Sequence, residues 1–161
     1  MRYRIGIGFD AHKFMVGRKL YLGGIEIAHS LGLHGHSDAD VLLHALTDAL
    51  LGAAGLGDIG MHFPDSDPQW KDASSRIFVQ SALDEIYKLG WSVSNIDLII
   101  IAQEPKIDSH RADIKASVST LLELPEECVN LKAKTTDHLG FTGRGEGIAA
   151  QAIVLIEADA P

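Results

Sequence analysis

A single cysteine, Cys128, stands among 161 residues. The chain can form no intramolecular disulfide, and the residue reads as a small buried thiol in a reducing compartment. No apolar run reaches the ~18 residues of a membrane-spanning helix, so no membrane partner is expected. No secretory or transit segment is read at the start of the chain, and the expected location is cytoplasmic, or an organelle for a protein in mature form. Positive charge is scarce: 14 Lys and Arg stand against 22 Asp and Glu, a formal net charge of −8. That argues against nucleic acid and anionic membrane surfaces as partners, since both need a basic footprint. A phosphate-bearing small molecule stays open, because a metal or a few placed cations reverse a local field. There is no Gly-rich loop followed by Lys-Ser or Lys-Thr for a nucleoside triphosphate. Nor is there a strained nucleophile turn of the serine-hydrolase kind. Gly143-x-Gly145-x-Gly147 is too compact for a dinucleotide fingerprint and precedes a strand.

What is present reads as one domain, residues 1–161, with no repeat or linker. Residues 4–9 form a strand that gives way to loop at Asp10 and His12. Gly23-Gly24 joins two apolar runs, 19–22 and 25–27, as a hairpin, because a tight turn needs positive φ at both positions. Residues 30–37 form a mobile loop. Ser37 or Asp38 caps a helix that runs to Ala53 or Ala54. A long Gly, Pro and Asp-rich loop, 55–68, follows. Asp72 or Ser74 caps a second helix through Leu89, with Ile77, Phe78, Ala82, Ile86 and Leu89 at helical spacing and Gly90 as its stop. Residues 91–102 carry an apolar run expected of a strand covered on both faces. A third helix spans 109 or 110 to 122 or 124. Val129, Leu131 and Ala133 alternate with polar residues as a half-exposed strand. The last strand, 148–157, is apolar on both faces, which points to burial between subunits. The order predicts an α/β chain of the α+β sandwich kind: a mixed β-sheet with helices on one face.

The chemistry gathers in residues 34–48, where three of the eight histidines and three aspartates fall. Positions four apart share a helix face, so Asp40, His44 and Asp48 form one polar stripe. Asp10 and His12, two apart on extended chain, face one side. With His44 they offer two imidazoles and one carboxylate, the donor set of a catalytic zinc site with an open position. A hydrogen-bonded core histidine is the equal alternative for His44. Asp48, one turn on, either orients a ligand imidazole or stands solvated. Arg144, Lys106 and Lys134 are the cationic candidates for a phosphate, each equally readable as a surface charge.

The joint pattern is far more specific than its pieces. Gly8-Phe9-Asp10-x-His12, His36-Ser37-Asp38-x-Asp40, His44-Ala45-Leu46-Thr47-Asp48, Gly57-Asp58-Ile59-Gly60, Phe63-Pro64-Asp65-x-Asp67, Ala102-Gln103-x-Pro105-Lys106 and Leu139 to Gly147 occur in order. Together they resemble the 2-C-methyl-D-erythritol 2,4-cyclodiphosphate synthase family of non-mevalonate isoprenoid biosynthesis, over nearly the whole chain.

The resemblance implies a lyase that closes a cytidine-diphosphate-linked methylerythritol 2-phosphate into a cyclic diphosphate and releases CMP. It implies Zn2+ on Asp10, His12 and His44, and a second ion, Mg2+ or Mn2+, on Asp137. His36 and Thr135 match the residues that stabilise the transition state, and His36 and Ser37 lie on a loop that closes over phosphates. Ala11, flanked by the two ligands, belongs to the substrate contacts. Asp58, Ile59 and Gly60 match the methylerythritol loop together with Phe63, Pro64, Asp65, Ser66 and Asp67. Ala102, Gln103, Glu104, Pro105, Lys106, Ile107 and Asp108 match the cytidine pocket. Lys134, Thr136, Phe141 and Arg144 match further substrate contacts. The resemblance also implies a homotrimer with active sites between subunits, and no nucleic acid or membrane partner.

Three positions depart from the family pattern. Asp137 replaces a glutamate, so its reach is one methylene shorter. Lys134 replaces a threonine. Gln151 replaces the glutamate with which some members, together with the arginine matching Arg144, bind an isoprenoid diphosphate. Without the resemblance, a metal-dependent phosphohydrolase and a non-enzymatic trimeric metal-binding module stand level.

Overall fold

The computed structural model describes residues 1–159; Ala160 and Pro161 of the expected domain lie outside the described residues. Strand β1 (Arg2–Val16) is the frame. It pairs antiparallel with β7 (Gly147–Ala158) from Arg2↔Ala158 to Lys13↔Gly147. Its last residues then pair with β4 (Leu31–Leu33). β1 is thus far longer than residues 4–9, and Asp10 and His12 sit within it. β7 and β4 supply partners that a local reading of Asp and His cannot show. β4 is likewise a strand inside the expected loop 30–37.

On its other side β7 pairs antiparallel with β5 (Ser92–Ile101), and β5 pairs parallel with β6 (Val129–Lys134). The order is β4-β1-β7-β5-β6, a mixed sheet. The parallel step needs a crossover, which α4 (Arg111–Leu122) provides. The hairpin stands as expected: β2 (Leu20–Leu22) and β3 (Ile25–Ile27) flank Gly23 and Gly24, whose φ angles are 64° and 79°.

Helix α1 (Val41–Ala54) packs on β1 and β7, and α3 (Arg76–Lys88) packs on α1. α1 approaches the strand main chain directly. A Cβ at Gly6 would lie 1.9 Å from the Ala49 carbonyl oxygen, and one at Gly8 1.9 Å from that of Ala45. The cap of α1 is Asp40, not Ser37 or Asp38. Its carboxylate accepts from the Leu43 amide at 3.0 Å and from the Gly23 and Gly24 amides at 3.0 and 2.6 Å. Complete burial pushes the Asp40 carboxyl up, and these amides pull against that shift. One side chain therefore starts the helix and clamps the hairpin turn.

Two packing expectations are corrected. Ile77 and Leu89 of the second helix are exposed; its buried face is Phe78, Val79, Ala82, Leu83 and Ile86. Both sets have helical spacing, and contact with α1 selects the second. β5 is covered on one face only: Ile96, Leu98 and Ile100 are buried, while Ile99 and Ile101 are partly open. All the long helices lie on that covered side. The opposite face presents Tyr3, Ile5, Ile7 and Phe9 of β1 and Ile153 of β7, with Ile5 71% exposed. No helix among the described residues is long and apolar enough to cross a membrane.

Candidate metal centre and ligand cleft

Because side chains alternate along a strand, Asp10 and His12 follow Gly6 and Gly8 on the face of β1 that α1 covers. His44 comes down from α1 to meet them. Asp10 Oδ2 lies 2.9 Å from His12 Nε2 and 3.0 Å from His44 Nδ1, and the two ring nitrogens are 3.1 Å apart. Asp10 Oδ1 accepts from the Ala11 amide at 2.8 Å, which fixes the carboxylate. Burial acts to raise the Asp10 carboxyl, but the hydrogen bonds and charge of His12 and His44 outweigh it and hold the group far below its ordinary value.

This is the one group of three or more His, Cys, Asp or Glu side chains among the described residues that can share a metal ion. The donor set fits. Two imidazole nitrogens and a carboxylate oxygen suit a borderline divalent cation, and a tetrahedral ion with bonds of about 2.0–2.1 Å needs donors only a few tenths of an ångström further apart than these. Asp137 stands apart from the group, exposed at a left-handed φ of 55°.

His44 Nε2 faces the hydroxyls of Ser37 at 3.1 Å and Ser75 at 2.9 Å. Asp48 does not touch this imidazole, contrary to one sequence reading. It turns along α1 and accepts from the Ile59 amide at 2.8 Å, at the start of α2 (Ile59–His62). Half-burial pushes its carboxyl up; the Ile59 amide opposes this, and the charges of Asp58 and Asp10 add to it. Asp58 caps α2 through the Met61 amide at 3.0 Å. The expected loop 55–68 therefore holds one short helix, tied to α1 through Asp48, and runs as loop from Phe63 to a 3-10 turn at Pro68–Trp70.

A cavity of about 530 Å3 opens beside the triad, a size suited to a small ligand. Of the residues expected from sequence, His12, His36, Ser37, His44, Ile59, Gly60, Phe63, Pro64 and Asp65 line it. Two rings of its apolar wall were not read from sequence: Phe78 and Trp70 stand with the expected Phe63, ring centroids 4.6 to 5.7 Å apart. Helical spacing marked Phe78 only as core, and nothing local marks Trp70. His36 Nε2 donates to the Asp67 carbonyl at 3.0 Å, tying the two halves of the cleft together.

The loop at His36 is held more firmly than expected. Arg18 donates to the carbonyls of Gly35 and Ser37, and the Asp72 amide donates to the His36 carbonyl at 2.8 Å.

The remaining expected residues lie elsewhere. None of residues 102–108 or 134–137, nor Phe141 or Arg144, lines that cavity. Gln103, Glu104 and Arg144 border a second one of about 410 Å3. The Ala102 amide donates to the Lys134 carbonyl at 3.0 Å, so the ends of β5 and β6 travel together. Thr136 Oγ1 bonds Thr142 Oγ1 at 3.0 Å and anchors α5 (Gly140–Gly143) to this corner. Arg144 pairs with both carboxylate oxygens of Glu146, at 2.7 and 3.2 Å.

Fold and site together define an α/β protein with a two-histidine, one-carboxylate metal site at the mouth of a cleft. Residues 3–157 match the model of the YgbB family. The 2-C-methyl-D-erythritol 2,4-cyclodiphosphate synthase of Dechloromonas aromatica is 52% identical over 157 residues, covering 98% of each chain. That of Neisseria gonorrhoeae is 54% identical over 153 residues, covering 95% of this chain and 96% of its own. A solved structure of 2C-methyl-D-erythritol-2,4-cyclodiphosphate synthase in its CDP-bound form superposes with a TM-score of 0.89. It is 40% identical and covers 96% of this chain and 100% of its own. The bifunctional IspDF from Campylobacter jejuni gives a TM-score of 0.94 at 42% identity over 98% of this chain, which spans 43% of that longer protein. The chain belongs to the YgbB family, that of the 2-C-methyl-D-erythritol 2,4-cyclodiphosphate synthases.

Proposed function

We propose that this chain is a metal-dependent cyclodiphosphate synthase of isoprenoid biosynthesis. It converts 4-diphosphocytidyl-2-C-methyl-D-erythritol 2-phosphate into 2-C-methyl-D-erythritol 2,4-cyclodiphosphate and CMP. One observation carries the reading: the Asp10, His12 and His44 donors and the loops at 35–37 and 59–65 converge on one cleft, in a chain that matches named synthases end to end.

An oxygen of the 2-phosphate attacks the β-phosphorus of the same molecule. The bond from that phosphorus to the bridging oxygen breaks, and CMP leaves with the electron pair. No protein nucleophile and no water takes part, so the chain contributes position and charge. Ile59, Gly60 and Phe63 to Asp67 seat the methylerythritol, with Asp58 at the same turn. His36 and Ser37 hold the phosphates as charge shifts between them, and Thr135 assists at the diphosphate. Asp10, His12 and His44 would hold Zn2+, which, when bound, draws electron density from the attacked phosphate. Asp137 would be the protein ligand of Mg2+ or Mn2+, hard cations that favour carboxylate oxygen.

The reading includes a homotrimer in which a neighbour's residues 102–108, with Lys134, Thr136, Phe141 and Arg144, complete the cytidine-diphosphate end. The open apolar face of β1 and β7 supports it, as does the separation of those residues from the cleft of their own chain. It also makes residues 1–161 a single catalytic domain working in the cytoplasm.

The test is product analysis with the cytidine-diphosphate substrate, Zn2+ and Mg2+. The expected outcome is equimolar CMP and cyclic diphosphate from the wild type, with His44→Ala slower by at least about 10²–10³-fold. A linear phosphate product carrying solvent oxygen would make the chain a hydrolase and overturn the reading.

A further inference from the structure

Ser75 immediately precedes α3, where a serine ordinarily turns its hydroxyl onto the helix's own amides. Here it makes no side-chain cap bond. Its side chain is completely buried, and its hydroxyl is spent on two other groups. The Ser75 hydroxyl donates to Asp38 Oδ1, and the Ser75 amide donates to Asp38 Oδ2 at 3.0 Å. The same Ser75 oxygen lies 2.9 Å from His44 Nε2. A hydroxyl has one proton, and a carboxylate is an acceptor without a donor. With its proton given to Asp38, Ser75 has only lone pairs to offer His44. Nε2 must then carry the hydrogen between them.

That fixes the other side of the ring. Nδ1 lies 3.0 Å from Asp10 Oδ2 and 3.1 Å from His12 Nε2. It is the nitrogen whose lone pair a cation can take. Ser37 Oγ, 3.1 Å from Nε2, already accepts from the Ala39 amide at 3.2 Å, so it supports the ring without dictating its proton.

We propose that Asp38 and Ser75 form a two-step relay that holds the proton on His44 Nε2, making Ser75 a positioning residue for metal binding at Nδ1. Histidine ligands generally donate their second nitrogen to an oriented acceptor, and loss of that acceptor costs about 10- to 100-fold in metal affinity. The relay also explains why a serine that does not cap its helix sits at the start of α3. It ties the helix that brings Phe78 into the cleft to the imidazole of the metal centre, so metal and ligand wall are set by one contact.

The proposal rests on the reading of Asp10, His12 and His44 as a divalent-cation site. Its test is zinc affinity, by competition with a chromogenic chelator, for the wild type and Ser75→Ala. The visible spectrum of the cobalt-loaded proteins and the thermal unfolding of the metal-free ones are recorded beside it. Zinc affinity is expected to fall about 10- to 100-fold, with a changed cobalt spectrum. In the zinc-loaded wild type, nitrogen-15 correlation spectra are expected to show His44 protonated at Nε2; that measurement needs no variant to fold. A Ser75→Ala protein that unfolds earlier yet binds zinc as tightly as the wild type would show a purely structural serine and overturn the relay. So would a His44 ring carrying its proton on Nδ1 with zinc present. A wild type that binds no zinc would overturn the metal reading itself, a result distinct from either.

Discussion

Around His44, the Asp10 carboxylate, both imidazoles and the hydroxyls of Ser37 and Ser75 are all held by groups of the same chain. The ends of β5 and β6 differ. Lys106, Asp108, Lys134, Thr135 and Asp137 are exposed, and the buried Gln103 Oε1 has no partner. One region is organised before any ligand arrives; the other presents exposed polar groups at a corner of the sheet, of which Asp108 is paired with Arg111. A fixed arrangement costs no reordering as charge moves. The contrast accords with the proposed reading, in which the phosphate end is finished within a chain and the nucleotide end waits for a second surface.

The largest expected effect comes from attacking that second surface. Ile7→Lys puts a charge on the open face of β1. Each chain would forgo about 2 kcal/mol of apolar burial at an interface and would have to bury an unpaired ammonium as well. Sedimentation should show monomers, and CMP release should fall nearly to background while zinc binding survives. A monomer with full turnover would erase the contrast between the two regions.

The two regions were not equally legible from sequence. The helical period put His44 and Asp48 on one stripe of α1, whereas Asp40, expected on the same stripe, is its cap on extended backbone; nor could the period say what each would meet. Asp40 meets the Gly23 and Gly24 amides, Asp48 meets Ile59, and only His44 meets Asp10. Those partners come from the packing of α1 on β1 and on the 55–60 segment, which periodicity does not encode. β4 was hidden for a related reason: Leu31, Gly32 and Leu33 become a strand only because β1 runs on to Val16. Ser75 and Trp70 carried no local signal at all. The order of elements was readable from spacing, and so was the pairing of Asp10 with His12 two apart on one chain; the joining of His44 to that pair rested on the family resemblance, because it lies on a second element.

A smaller effect sharpens the role of the organised side. On the proposed role of its ring in the charge shift, His36→Ala should lower kcat on the order of 10²-fold and move KM much less. Steady-state CMP release with varied substrate measures both; a pure rise in KM would move His36 to the binding role now given to its neighbours.

The smallest effect is one of stability. Asp10 is held below its ordinary value of 3.8, so its contribution is fully present above that pH and is lost as pH falls toward the folded-state value. In metal-free protein, Asp10→Asn should flatten the acid limb of stability against pH, measured by urea unfolding at a series of pH values below about 5. An unchanged slope would mean the two imidazoles do not stabilise this carboxylate.

The glycines at 6 and 8 lie on the same strand face as Asp10 and His12, and no methyl group fits between them and the Ala45 and Ala49 carbonyls. A side chain at either place would act as a wedge, lifting α1 and His44 with it while Asp10 and His12 stayed on the sheet. The gap that receives the cation is therefore gauged upstream of its own ligands, by the thickness of bare backbone at two positions that never touch it.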